Sequence, residues 1–172
     1  MKRSLILGAV LAGLAGCGPS GQNADRLAAM GKIDDGAPLQ AEAEIIINAP
    51  PEKIWGLLTD INNWPKWQPD IGNADLLGNA EAGTAFTWRT GDLTIHSVLR
   101  LVRPMSVLAW SGEVWFSHAV HVWTIAPFSD GRTVVRAKES MTGWVAAHFY
   151  TSMKLQESDL RWLIALKRAA EQ

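Results

Sequence analysis

From residue 71 to residue 143 this chain repeats short β-favouring segments, and the stretch that follows, 145–170, contains neither Pro nor Gly. Side chains on a strand alternate between two faces, whereas residues three and four apart share one face of a helix. The chain therefore has to build a long antiparallel sheet and then one long helix. Strands are read over 71–77, 84–90, 93–102, 106–115, 118–126 and 133–141, with turns at Gly91-Asp92 and Ser129-Asp130-Gly131. Over 145–170 the positions Phe149, Met153, Leu160, Leu163, Ile164 and Leu166 recur at helical spacing and predict a helix of roughly 20 residues or more. Upstream, 41–47 is β-branched and reads as a first strand. Pro50, Pro51 and Glu52 start a short helix whose apolar face is Ile54, Trp55, Leu57 and Leu58, and Trp64-Pro65-Lys66-Trp67 forms a second helical turn. The expected class is α+β, a curved antiparallel sheet wrapped around a long C-terminal helix, with two short helices after the first strand. Such a wrap leaves a pocket between sheet and helix.

Strand parity selects what faces that pocket. In 133–141, Val135, Ala137, Glu139 and Met141 share a face that is apolar except for Glu139, and Val134, Arg136, Lys138 and Ser140 take the solvent side. In the preceding strand Ala119, His121, Trp123 and Ile125 share a face. Pairing Ile125 with Val135 and Trp123 with Ala137 brings His121 opposite Glu139, and a one-residue slip would bury Arg136 and Lys138 instead. Burial raises a carboxyl pKa and a neighbouring imidazolium lowers it. A buried pair that only fixes register, a ligand-facing pair and an acid–base pair all fit this placement. The same rule continues the wall through Phe86 and Trp88, then Ile95, Ser97, Leu99 and Leu101, then Leu108, Trp110 and Gly112. The simplest hairpin sets Gly112 across from His121, leaving room beside the ring. Candidate ligand-binding residues are thus Phe86, Trp88, Ser97, Trp110, Gly112, His121, Trp123 and Glu139, with His121 and Glu139 as the catalytic candidates.

Other chemistries fit less well. His118 and His121 fall on opposite strand faces, which is wrong for a shared metal, so no metal is expected. No dinucleotide fingerprint or phosphate-cradling loop occurs, so no cofactor is expected. Ser97 has no nucleophile elbow around it. His96 falls on the outer face, and His148 with Tyr150 sits either at the pocket mouth or on the surface. Nine Trp against a single Tyr imply an indole-rich core or an aromatic cavity wall.

The first residues carry a separate signal. Met1-Lys2-Arg3 precedes an apolar run that ends at Leu14-Ala15-Gly16-Cys17, about half the ~20 residues that span a bilayer. Cys17 is the only cysteine. This segment resembles the lipobox of bacterial lipoproteins, which implies removal of residues 1–16 and acylation of Cys17. Acyl chains contribute roughly 0.8 kcal/mol per buried CH₂. The expected organisation is a signal over 1–16, a lipidated flexible tether over 17–40 and a domain over 41–172. A short helix near 25–30 is compatible with that tether. The resemblance implies a periplasm-facing envelope location, and Gly18 after the Cys favours the outer over the inner membrane. Removing Lys2 and Arg3 lowers the 16 basic residues by two against 17 acids, a net of about −3 with no basic patch, which argues against nucleic acid.

The order of elements, with Ala49-Pro50-Pro51-Glu52-Lys53-Ile54-Trp55-Gly56-Leu57-Leu58-Thr59-Asp60, Asn63-Trp64-Pro65-Lys66-Trp67, Gly83-Thr84-Ala85-Phe86, Leu108-Ala109-Trp110-Ser111-Gly112, His121-Val122-Trp123 and Glu139-Ser140-Met141-Thr142-Gly143, resembles the START-like helix-grip (SRPBCC) superfamily, in its polyketide cyclase/dehydrase and lipid-transport group, over residues 41–170. That group includes cyclases, dehydratases, hormone receptors and lipid carriers. The resemblance implies a membrane-anchored binding protein or carrier for a hydrophobic small molecule, lipid-like or polyketide-like. One alternative is a polyketide cyclase/dehydratase using His121 and Glu139. Another is an envelope interaction protein with a solid interior, whose contact surface would be Trp64, Trp67 and Trp115.

Overall fold

The computed structural model describes residues 19–172. Residues 1–16 and Cys17, read as signal and lipidation site, lie outside them. Helix α1 (Pro19–Ala29) leads into strand β1 (Leu39–Ile47), then α2 (Pro51–Thr59), a 3₁₀ turn (Ile61–Asn63) and α3 (Trp64–Trp67). Strands β2 (Ile71–Leu76), β3 (Ala85–Thr90), β4 (Leu93–Arg103), β5 (Val107–Val114), β6 (Ser117–Pro127) and β7 (Thr133–Gly143) follow, then α4 (Trp144–Phe149) and α5 (Ser152–Ala170). All seven strands form one antiparallel sheet in the order β1-β7-β6-β5-β4-β3-β2. The strand expectations hold to within a residue or two at most ends. The open sheet is curved and α5 crosses its inner face, which is the helix-grip arrangement.

Local chemistry accounts for the elements. Pro51 opens α2 without needing its missing N–H, and Glu52 faces the positive helix end. The C-terminal segment is not one continuous helix: Tyr150 and Thr151 are extended, and the Thr151 side chain accepts from the Lys154 N–H at 3.2 Å to cap α5. The buried stripe of α5 also differs from the expected one. Leu155, Asp159, Trp162, Leu163, Leu166 and Ala170 are buried, whereas Met153, Leu160 and Ile164 are exposed. Spacing alone does not distinguish two overlapping apolar stripes, and the one carrying Trp162 buries more area.

Residues 19–40 are a docked part of the domain rather than a flexible tether. Ala24 and Ala28 pack on Ala109, Val120 and Val122 on the outer face of the sheet. Asp25 accepts from Ser111 Oγ and pairs with Arg100, both at 2.6 Å. A bulge at Arg100 makes this possible. It separates the Leu99–Trp110 pair from the Leu101–Ala109 pair, so Leu101 turns to the outer cluster instead of continuing the inner wall. The three buried clusters draw on residues 24–170, so residues 19–172 carry a complete core of their own.

The main core joins α2, α3 and α5 to the sheet. Trp64 and Trp67 do not form the expected contact surface. Trp64 is fully buried, its Nε1 donates to the Leu58 carbonyl at 3.0 Å, and Trp67 packs edge-on against Trp162. Trp115 is exposed, as read from sequence.

Gly143, where β7 turns into α4, has φ +107°. A Cβ there would fall inside contact distance of the Phe116 carbonyl oxygen and the Ser117 Cα. Gly91 has φ +54° but open space around it. Gly91→Ala should therefore cost about 1 kcal/mol of stability, from backbone conformation alone. Gly143→Ala should cost about 2 kcal/mol or more, because backbone must move as well. Thermal denaturation of the two variants checks this, and equal melting points would contradict it.

Candidate functional site

The inner face of the sheet and α5 enclose a cavity of about 450 Å³. Trp88 on β3, Trp110 on β5, Trp123 on β6 and Trp162 on α5 wall it. Its exposed lining, Gly91, Glu113, Asp70 and Arg161, marks the opening, where Arg161 pairs with Asp70 at 2.9 Å. The volume lies within the ~300–1,000 Å³ usual for small-molecule sites.

His121 and Glu139 meet in this cavity across β6 and β7. They are direct cross-strand partners, with Ile125 opposite Val135 and Trp123 opposite Ala137. His121 Nε2 lies 3.2 Å from Glu139 Oε1, and both side chains are largely buried. Trp110 stacks on the imidazole at 4.8 Å between centroids and 17° between planes, and Trp88 meets it edge-on at 6.3 Å.

A third polar group comes from the helix. Asp159, one turn before Trp162 and Leu163 on the buried stripe of α5, lines the same cavity, close enough to Glu139 for each carboxyl to shift the other's titration. Burial raises Glu139 well above the usual carboxyl range, and the neighbouring Asp159 carboxyl raises it further. Burial likewise raises Asp159 to about 7. Two carboxyls this close in an apolar chamber share a proton, because both charges together cost too much. Burial lowers His121 to about 3, so the ring is neutral at ordinary pH. The 3.2 Å contact is then between a neutral imidazole and a carboxyl rather than an ion pair. Two buried polar atoms of the lining residues, Trp110 Nε1 and Asp159 Oδ2, have no protein partner.

Of the residues expected at the site, Trp88, Trp110, Gly112, His121, Trp123 and Glu139 line the cavity. Phe86 and Ser97 do not. Phe86 is packed beneath the indoles, 5.7 Å from Trp64, and Ser97 accepts from Trp88 Nε1 at 3.1 Å. Gly112 is not across from His121: Trp110 holds that position and Gly112 pairs with Ala119 and Ser97. The β5–β6 turn is the same length as in the simplest hairpin but is centred one residue earlier, which moves the register by two. A Cβ on Gly112 would come within 3.2 Å of Ser97 Oγ, so its small size serves that hydroxyl. Tyr150 lines the cavity, whereas His148 is exposed beside Trp144. Asp159 and Trp162 escaped the sequence reading. Their signal was present as the spacing Leu155, Asp159, Trp162, Leu166, with an acid on an otherwise apolar helix face.

Among known proteins, a sequence profile described as polyketide cyclase / dehydrase and lipid transport matches residues 38–160. No curated protein matches the chain. Solved structures with this fold include a hypothetical protein from Helicobacter pylori, with 19% identity, a TM-score of 0.69, and 79% of this chain and 90% of that one covered. The ZhuI aromatase/cyclase from Streptomyces sp. R1128 is 17% identical with a TM-score of 0.64, covering 77% and 93%. A START superfamily protein from Mycobacterium smegmatis is 11% identical with a TM-score of 0.61, covering 77% and 94%.

The shared proton predicts a pH signature. Asp159 titrates higher in the fold than its ordinary 3.8, so its contribution to stability is full at low pH and lost as pH rises through about 7. His121 titrates below its ordinary 6.5, so its contribution is present above that value and lost as pH falls toward 3. The two oppose each other in mildly acidic solution, and above pH 6.5 only the acid pair's decline remains. Asp159→Asn should therefore raise stability by about 1–2 kcal/mol more at pH 8 than at pH 5. Denaturant unfolding at the two pH values measures it, and equal gains would mean that no proton is shared.

Proposed function

Because the chain belongs to the polyketide cyclase / dehydrase and lipid transport family, we propose that it is a membrane-anchored binding protein or carrier for a hydrophobic small molecule. The observation that carries this is the open cavity walled by four indoles, with polar groups confined to one spot. Apolar walls hold a greasy body, and a few placed polar groups orient one head. A solid interior would have favoured a pure interaction protein. Native mass spectrometry of residues 19–172 purified from bacterial cells should show a co-purifying lipid-like or polyketide-like mass. Protein that is uniformly bare would count against a carrier.

Anchoring through Cys17 is part of the same proposal, and the direction of α1 supports it. Asp25 sits beside Ser111 and Gly31 lies near Val107, so the helix runs antiparallel to β5. Its N-terminal end is thus directed toward the β5–β6 turn. There Trp115 and Phe116 are exposed between Val114 and Ser117, two residues of the cavity lining. A lipid at Cys17, an aromatic tip and the cavity opening would all face one membrane, where Trp and Phe are at home. Periplasmic exposure, on the outer rather than the inner membrane, is included in this reading. Cys17→Ser should move the protein from the membrane to the soluble fraction, and its continued sedimentation with membranes would refute lipid attachment.

A second reading is a cyclase or dehydratase. It is favoured by the shared proton, which puts an acid–base pair close to neutral pH where general catalysis works best. The Streptomyces structure of similar fold is an aromatase/cyclase. In this reading Glu139 accepts or returns a substrate proton, and His121 orients it. Glu139→Gln keeps the shape and should abolish turnover of a linear polyketide while leaving its binding intact. Unchanged turnover would remove Glu139 from any mechanism.

A further inference from the structure

We propose that the head group this cavity takes is a cation, an alkylammonium carried on an apolar chain. The inference rests on the reading that a hydrophobic small molecule enters here, and it names the chemistry at the molecule's polar end. Three observations converge.

The first is an unsatisfied acceptor. Asp159 is 4% exposed, lines the cavity, and its Oδ2 has no hydrogen-bond partner. Its neighbour Glu139 is raised further still, so the pair holds one proton between them once Asp159 has ionised. Above about pH 7 Asp159 is ionised and accepts only, so a group meeting Oδ2 there has to be a donor, and an N–H⁺ donor is the strongest available.

The second is the charge inventory. The other titratable groups lining the cavity are His121 from β6 and Tyr150 from the α4–α5 junction, with Glu113 from β5, Asp70 ahead of β2 and Arg161 from α5 at its opening. His121 is neutral, and burial together with Glu139 raises Tyr150, which keeps its proton. Arg161, the one fixed positive charge in the lining, is held by Asp70 at the opening. Nothing positive in the lining opposes Glu139 and Asp159. A second carboxylate brought in by an anionic ligand would meet two acids in a low-dielectric chamber.

The third is the wall. Trp88, Trp110, Trp123 and Trp162 surround the same space, with Trp110 and Trp123 stacked at 6.4 Å and Trp162 edge-on to Trp88 and Trp123 at 6.0 Å. Indole faces attract cations more strongly than any other side-chain ring, and the attraction grows where water is excluded. An alcohol head would satisfy Asp159 but gain little from the rings. An ammonium gains from both.

The test uses residues 19–172 and three probes of equal chain length, decylamine, decanol and decanoate, each below its micelle concentration and read by quenching of indole fluorescence. At pH 8 decylamine should bind about tenfold or more tighter than decanol, and decanoate weaker than decanol. Asp159→Asn should weaken decylamine about tenfold and leave decanol within about twofold. In the unaltered protein, lowering the pH from 8 to 5 should weaken decylamine by a similar factor, because the acid pair gains its second proton and loses its charge while the amine keeps its own, and decanol should not respond. That arm decides the matter if the variant fails to fold. Equal binding of amine and alcohol, or tighter binding of decanoate, overturns the cation inference and leaves the hydrophobic cavity standing. Binding of none of the three overturns the carrier reading itself.

Discussion

The interior is organised by one buried indole. Trp64 stands edge-on to Trp162 at 5.0 Å and to Phe86 at 5.7 Å, tilts against Trp110 at 5.8 Å, and is fixed by its own hydrogen bond to Leu58. Aromatic pairs in such geometry add to the large area that each ring buries. The consequence is a division of the space between sheet and helix. One end is filled by Trp64 and the residues of α2 and α3. At the other end Trp88, Trp110, Trp123 and Trp162 have one side in the core and another on the cavity. The same rings therefore stabilise the fold and shape the hollow.

The polar trio is tied into that framework by elements of different kinds. His121 and Glu139 are locked to each other by the β6–β7 register, which a one-residue slip would destroy along the whole strand. Asp159 arrives on α5, whose position is set by Trp162, Leu163 and Leu166 in the core. Burying two carboxyls and an imidazole costs free energy in any protein of this size, and the shared proton and neutral ring are how the cost is limited. Their stack against Trp110 keeps the ring aligned with Glu139. The arrangement confines three polar groups to one spot of an otherwise indole-walled cavity.

Much of this was legible in the residues. A period of two over 133–141 with a single polar exception, Glu139, forces that residue inward, and the apolar partners of β6 then dictate that His121 faces it. Three things were hidden, each for a physical reason. The bulge at Arg100 reverses parity without any glycine or proline to mark it, which sent Leu101 to the outer face. The α5 helix carries two apolar stripes, and the exposed one through Met153, Leu160 and Ile164 looks as periodic as the buried one. Asp159 was lost with that choice, since an acid on a helix reads as solvated unless its neighbours at three and four residues are known to be buried. The α1 helix has small apolar contacts, Ala24 and Ala28, that resemble linker composition until the outer face of the sheet receives them.

For a chain anchored at Cys17, the docking of α1 would set how far the domain can travel. Its first residue, Pro19, is two positions from Cys17. If Cys17 carries lipid, two residues of chain extend at most about 7 Å, against the long leash that residues 17–40 would have given if unfolded. A domain held that closely cannot cross the space between two membranes. Any cargo would have to be taken from, or surrendered to, the bilayer on which the protein stands or a partner that comes to it.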